Sequence, residues 1–123
     1  MMQNEKKLLL IDLCSRLPYG VKGIEANSIC LLNTSVHFKS SLIKNIEYKI
    51  VHLGFKPYLF PLSSMTEEQD KEFALLQTNV HTSGFLFASD CSDMINWLNK
   101  NHFDYRGLIP MGLALDATGL NIY

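Results

Sequence analysis

The sequence lacks the long apolar run that a membrane-spanning helix requires. Its apolar runs, such as Leu8 to Ile11, are far shorter than the roughly 20 residues that cross a bilayer. The N-terminal segment carries Glu5 beside two lysines, and Asp12 interrupts the apolar run before any small-residue cleavage site. We therefore expect no membrane anchor and no signal peptide, and a cytoplasmic location.

Cysteine is also scarce, with Cys14, Cys30 and Cys91 as the three in the chain. An odd number of widely spaced cysteines argues against a disulfide framework. Cys14 and Cys30 have apolar neighbours, so the sequence predicts that both are small buried side chains in a reducing compartment.

Motifs for metal binding and for covalent catalysis are missing as well. The four histidines and three cysteines do not occur at the paired spacing of a structural zinc site, so we expect neither metal nor cofactor. The chain contains no Gly-x-Ser-x-Gly elbow and no Gly-Lys-Ser/Thr phosphate loop. No catalytic residue is predicted, although a small enzyme with a site assembled only in space remains an alternative.

What the chain does contain is the composition of one globular domain. It has 123 residues, of which 47% are hydrophobic and 19% charged, and this length fits a single domain spanning residues 1–123. A domain of this size buries roughly two thirds of its unfolded surface, so one core is possible without crosslinks.

The first half predicts a helix followed by a small sheet. Leu9, Leu13 and Leu17 recur at four-residue spacing and predict a helix over residues 5–17, which Pro18 ends. Asp12 and Arg16 are expected mostly outside its apolar stripe. A hairpin is predicted from the strands Tyr19–Ile24 and Ser28–Leu32, which are joined by a turn at Glu25–Asn27. Two further strands are predicted at Val36–Lys39 and Glu47–Leu53. No structure is assigned to residues 40–46.

The second half predicts an extended segment and two further helices. Residues 56–62, here called the strap, have prolines that exclude helix and apolar side chains that need a core. Thr66 to Gln69 has the spacing of a capping box at a helix start, and Met94, Trp97 and Leu98 predict a helix over residues 92–101. Residues 80–88 are interpreted as a strand or hairpin. The fold class is α+β, with a small antiparallel sheet.

Charge is distributed unevenly along the chain. Residues 1–65 carry eight basic against four acidic residues, a net charge of +4, and residues 66–123 carry three against eight, a net charge of −5. Such asymmetry can mark a nucleic-acid-binding protein that uses Lys22, Lys39, Lys44 and Lys49. The other interpretation is that the two halves fold on one another and their charges largely cancel.

The segment that follows Trp97 is the main candidate for a binding site. His102, Asp104, Tyr105 and Arg106 lie close together, and tyrosine and arginine are enriched at protein-binding hot spots. Asp104 and Arg106 are two residues apart and could form an ion pair on an extended chain. The alternative is that the aromatic residues fill the core and the polar ones bridge neighbouring segments. The leading hypothesis is a non-enzymatic module that binds an unknown protein partner, with its oligomeric state open.

Two sequence blocks carry a family resemblance. One is Lys-Pro-Tyr-Leu-Phe-Pro-Leu-Ser-Ser-Met-Thr-Glu-Glu at residues 56–68, and the other runs from Trp97 through His-Phe-Asp-Tyr-Arg-Gly-Leu-Ile to residue 109. With Arg-Leu-Pro-Tyr-Gly-Val at residues 16–21, the chain resembles a family of small uncharacterised proteins of gut Bacteroides-type bacteria, their phages and mobile elements. That family has no assigned activity. The resemblance implies a cytoplasmic bacterial or phage setting and transfers no catalytic residue.

Overall fold

The computed structural model describes residues 2–32, 39–82 and 88–123. These ranges contain four helices and five strands, and two short 3-10 turns follow the first helix and the third strand. The helices are α1 (Gln3–Arg16), α2 (Lys39–His52), α3 (Glu67–Thr82) and α4 (Ala88–Lys100). The strands are β1 (Lys22–Glu25), β2 (Ser28–Leu31), β3 (Lys56–Pro61), β4 (Phe103–Asp104) and β5 (Leu115–Asp116).

Helix α1 confirms the predicted N-terminal helix but differs in which side chains it buries. Leu9 and Leu13 are fully buried, as their spacing predicted. Asp12 and Arg16 are also fully buried, which corrects the expectation that they lie outside the buried side of the helix. Cys14 is exposed, so the prediction of a buried thiol is wrong at that position. One side of α1 therefore meets the protein interior, and it carries both apolar and charged side chains.

The predicted hairpin is present as β1 and β2. Ala26 and Asn27 form its two-residue turn, with φ angles of 49° and 65°. Two left-handed residues match the turn that suits the right-handed twist of a hairpin. The register that follows places Gly23 opposite Cys30.

Residues 47–53 were predicted to be a strand, and that prediction is wrong. They lie in and just after α2, which also contains residues 40–46 and Lys39. Ile46 and Ile50, one helical turn apart, are buried in the core, whereas Val51 is exposed. Residues 36–38 of another predicted strand lie outside the described residues.

The strap is extended as predicted, and it forms the central strand β3. On one side β3 pairs antiparallel with β1, with Pro57 opposite Gly23. The register of the hairpin directs the main-chain groups of Gly23 towards Cys30 of β2. Pro57 therefore lies opposite Gly23 at a position where β1 and β3 do not exchange main-chain hydrogen bonds. A proline, which has no N–H, can stand there without loss of a bond to β1.

The other partners of β3 make the sheet mixed rather than purely antiparallel. β4 pairs with it in parallel at Phe60, and β5 pairs with it in parallel at Tyr58. The strand order is β2-β1-β3-β4, with β5 also bonded to β3. The C-terminal segment thus completes the sheet that the N-terminal half begins.

Helices α3 and α4 pack against each other. The predicted capping box is confirmed: the Gln69 amide N–H donates to Thr66 Oγ1 at 3.1 Å, and the Thr66 N–H donates to Gln69 Oε1 at 3.0 Å. The predicted strand or hairpin at residues 80–88 is wrong at both ends, because Val80–Thr82 belong to α3 and Ala88 begins α4. Residues 83–87 lie outside the described residues.

The core lies between the sheet and the first two helices. Its buried side chains come from α1, α2, the sheet and the C-terminal segment, and include Leu9, Leu13, Ile46, Ile50, Phe55, Leu59, Leu108 and Leu113. These elements form one α+β domain, which confirms the predicted fold class. Within the described ranges, no helix has the length and apolarity that a membrane crossing needs.

Candidate functional site

Asp12 lies at the centre of a buried cluster that joins α1 to the segment after α4. Its carboxylate accepts hydrogen bonds from Arg16 Nε at 2.8 Å and Arg16 Nη2 at 3.1 Å. Arg106 Nη1, from the far end of the chain, donates to the same carboxylate at 2.6 Å. Arg16 Nη2 also donates to the carbonyl of Phe103 in β4 at 2.6 Å. Two guanidinium groups therefore share one carboxylate inside the protein.

Tyr105 fills the space between these two arginines. The guanidinium carbon of Arg16 lies 5.1 Å from the Tyr105 ring centroid, and that of Arg106 lies 4.7 Å from it. Both distances are within the range of cation–π attraction. The Tyr105 hydroxyl donates to Asn99 Oδ1 at 2.8 Å and accepts from Arg106 at 3.0 Å. The aromatic ring and the ion pairs thus hold α4, the C-terminal segment and α1 together.

The cluster leaves two polar atoms without partners. Among the described residues, Arg16 Nη1 and His102 Nδ1 are buried and make no hydrogen bond. Burial, together with the positive charges of Arg16 and Lys22, lowers the pKa of His102 from 6.5 to about 4. The imidazole is consequently neutral at physiological pH and is a weak base.

His102 and Asp104 shape the backbone. His102 has a left-handed φ of 63° directly after α4, and its N–H donates to the carbonyl of Asn99, so it ends the helix. The buried Asp104 carboxylate accepts the N–H groups of Leu108 and Ile109, both at 2.9 Å. The expected pair between Asp104 and Arg106 is wrong, since Arg106 pairs with Asp12 instead.

The aromatic residues of the candidate segment stack in a row. Trp97 lies between Phe73 of α3 and Phe103 of β4, with ring centroids 5.6 Å and 5.7 Å away and nearly parallel planes. Phe60 of the strap follows at 6.3 Å from Phe103. The Trp97 Nε1–H donates to Glu72 at 3.0 Å. This row attaches the α3–α4 pair to the sheet, as the packing interpretation predicted.

The four lysines proposed for nucleic-acid binding lie on two elements, β1 and α2. Lys22 lies on β1 and donates to the carbonyl of Ile122. Lys39, Lys44 and Lys49 lie on α2 rather than on strands or loops, and steps of five residues rotate about 140° around a helix. Lys49 forms an ion pair with Glu25 at 3.2 Å. Lys44 is exposed.

Several apolar side chains of the first two helices are exposed to solvent. We call this surface the α1–α2 face; it comprises Leu10, Ile11 and Cys14 of α1 and Ile43, Tyr48 and Val51 of α2. Ile11 is 57% exposed, Ile43 49%, Tyr48 56% and Val51 51%. A groove of about 450 Å³ runs along its apolar end, lined by Leu10, Ile11, Cys14, Ser15 and Ile43.

No arrangement of reactive groups stands out in the described part of the chain. No cluster of three or more histidine, cysteine or acidic side chains there could hold a metal ion. Burial raises the pKa of the Cys30 thiol, and its hydrogen bond to the Glu25 carboxylate raises that pKa further. A thiol that stays protonated is a poor nucleophile. His52 stacks on Tyr48 with ring centroids 4.8 Å apart, in a shallow depression open to solvent.

The sequence predicted a site in the segment that follows Trp97 but not the part of the cluster that α1 contributes. His102, Asp104, Tyr105 and Arg106, proposed from the sequence as a binding site, each make contacts within the fold. Asp12 and Arg16 were missed as their partners, although a four-residue spacing on one helix is a signal for such a pair. The α1–α2 face was also missed.

Comparisons with known proteins add no relative. The chain matches no protein-family model, no curated protein and no solved structure, so its own geometry carries the functional reasoning.

Proposed function

We propose that this protein is a non-enzymatic interaction module that docks another polypeptide chain on its α1–α2 face. The observation that carries the proposal is the exposure of Ile11, Ile43, Tyr48 and Val51, each about half accessible, on two adjacent helices. Apolar side chains that are exposed close together, as Ile11 and Ile43 are along the groove, mark interaction sites on protein surfaces.

The buried cluster supports this function indirectly. Asp12, Arg16, Tyr105 and Arg106 are bonded to one another or to the main chain, so they serve as a rigid frame for α1. Binding surfaces built on rigid elements lose less conformational entropy on association than mobile ones. The residues of the C-terminal segment thus contribute to docking by holding α1 in position.

A reducing bacterial or phage-infected cytoplasm is the setting we propose for this module. The three cysteines are free thiols, which suits that compartment. The resemblance to small proteins of Bacteroides-type bacteria and their phages supports the same setting.

A pull-down with differently tagged copies of the protein tests the docking function. Wild type is compared with Ile11→Glu, which places a charge on the α1–α2 face, and with Leu75→Glu on α3 as the matched control. Leu75 is 65% exposed, at least as exposed as Ile11, so neither change disturbs the core. We expect a captured chain, whether another protein or the second tagged copy, to be lost with Ile11→Glu and kept with Leu75→Glu. Equal capture by both variants, or no capture by wild type, contradicts the proposal.

A further inference from the structure

We propose that the chain that docks on the α1–α2 face is a second copy of this protein. Two such faces would pack about a two-fold axis, so that four helices meet at the interface. This inference rests on the proposed function, because it names the partner of the same surface.

The geometry of the two helices suits packing against themselves. α1 and α2 each have 14 residues. Lys6 near the start of α1 lies beside Val51 and His52 at the end of α2, and Cys14 lies beside Ile43, so the helices run antiparallel. Two antiparallel helix pairs that bury apolar residues against each other form a four-helix bundle, and two-fold symmetry is the commonest arrangement of homodimers.

The size of the face matches a weak dimer. A helix of 14 residues is about 21 Å long and about 10 Å wide, so two helices offer a flat footprint of roughly 420 Å². Side chains corrugate that footprint, and two copies together would bury on the order of 1,000 Å², near the lower limit of a specific interface. We therefore expect a dissociation constant of about 10 to 500 μM.

The charges on the face are compatible with a copy of itself. The charged side chains that line the depression are Lys6 and Lys44 against Glu47, two basic against one acidic, a net charge of +1. The groove itself is lined by Leu10, Ile11, Cys14, Ser15 and Ile43 and carries no charge. A face strongly charged with one sign would repel its own copy across a two-fold axis. A mixed face with an uncharged apolar end does not.

Sedimentation velocity over about 10 to 500 μM protein tests the inference directly. Wild type is expected to change from monomer to dimer across this range. Ile11→Glu and Ile43→Glu each place two carboxylates in the symmetric interface, so each should weaken association at least about tenfold. Leu75→Glu should leave the dissociation constant unchanged. Far-UV circular dichroism shows whether each variant retains its helices. If one glutamate variant does not fold, the other still tests the interface.

Alkylation of Cys14 by iodoacetamide gives a second measurement at the same face. Cys14 is exposed and lines the groove, so dimer formation should cover its sulfur. Peptide mass spectrometry is expected to show that alkylation slows as the wild-type concentration rises, and that Ile43→Glu removes this dependence.

The outcomes separate the partner from the function. A wild type that stays monomeric at the highest concentration, or a dimer that persists in both glutamate variants, overturns the second-copy proposal. If wild type is monomeric yet captures a different protein that Ile11→Glu loses, the docking function stands and the partner assignment fails.

Discussion

Replacing Asp12 with alanine is expected to cause the largest loss of stability of any single polar substitution described here. Asp12 is fully buried and accepts three hydrogen bonds from two guanidinium groups. Its removal leaves the fully buried Arg16 charge without a counter-ion. Breaking a buried pair in this way costs about 3–5 kcal/mol, a large part of a total stability of roughly 5–15 kcal/mol.

Equilibrium unfolding in urea measures this loss. With a slope of about 2 kcal/mol per molar urea, the unfolding midpoint should fall by roughly 2 M. Arg106→Gln is the matched comparison, because its side chain is 21% exposed and its removal leaves Asp12 paired with Arg16. We expect it to cost only about 1–2 kcal/mol, since solvent screens a partly exposed charge.

A double variant tests whether the unpaired charge is the cause. Asp12→Ala with Arg16→Met removes the buried cation as well and leaves the Phe103 carbonyl without one donor. Because an unpaired buried charge costs more than one unpaired carbonyl, the double variant should be more stable than Asp12→Ala alone. A loss below about 1 kcal/mol for Asp12→Ala, or a double variant less stable than the single one, would refute the reasoning.

Three further predictions concern the substitution of Gly23, the effect of low pH through His102, and the N-terminal cap of α3. Gly23→Ala should cost about 2 kcal/mol in urea unfolding, because a Cβ there would overlap the main-chain oxygen of Lys56 and the Phe55 ring; an unchanged midpoint would contradict this clash. The unfolded chain binds a proton at His102 near its ordinary pKa of 6.5, whereas in the folded protein that pKa is about 4. Stability should therefore fall by about 1–2 kcal/mol, after allowance for solvent screening, as pH drops from 6.5 to 4, and an equally steep fall in His102→Asn would contradict this assignment. Thr66→Ala should lower the free energy of unfolding by about 1 kcal/mol through loss of the bond to the Gln69 N–H, whereas Thr66→Ser, which keeps a hydroxyl, should not.

Features decided within a few residues could be predicted from the sequence. The spacing of Leu9 and Leu13 and the stop at Pro18 were enough for α1, because a helix is defined by contacts one turn apart. The reciprocal bonds of Thr66 and Gln69 follow from a spacing of three residues. The turn at Ala26–Asn27 was likewise readable as the break between two strands.

The end of α2 could not be predicted because its pattern fits two periods. Residues 47–50 alternate between charged and less polar side chains like a strand, whereas Ile46 and Ile50 are also one helical turn apart. Tertiary burial decided the outcome, since the core takes Ile46 and Ile50 and leaves Val51 exposed. Short segments of this kind carry no local signal that separates the two structures.

The contacts of the buried cluster and the exposure of the α1–α2 face could not be predicted from the sequence. Arg106 contacts Asp12 across 94 positions of the chain, and no spacing rule reports such a contact. The exposure of Ile11 and Ile43 depends on which faces of two helices the sheet leaves uncovered. A sequence shows that these side chains are apolar, but only the packing shows that each is about half exposed.

The central position of β3 has a consequence for synthesis on the ribosome. Its parallel partners, β4 and β5, lie at residues 103–104 and 115–116, so the sheet cannot be completed until residue 116 has emerged. Until then Arg16 lacks both the Phe103 carbonyl and the neighbouring Arg106 segment, and α1 has nothing to hold its charged side. Chains are made at about 5–20 residues per second, so a nascent copy spends seconds with its apolar helices unsupported. Completion of the sheet therefore waits until residues 103–116 have been synthesised.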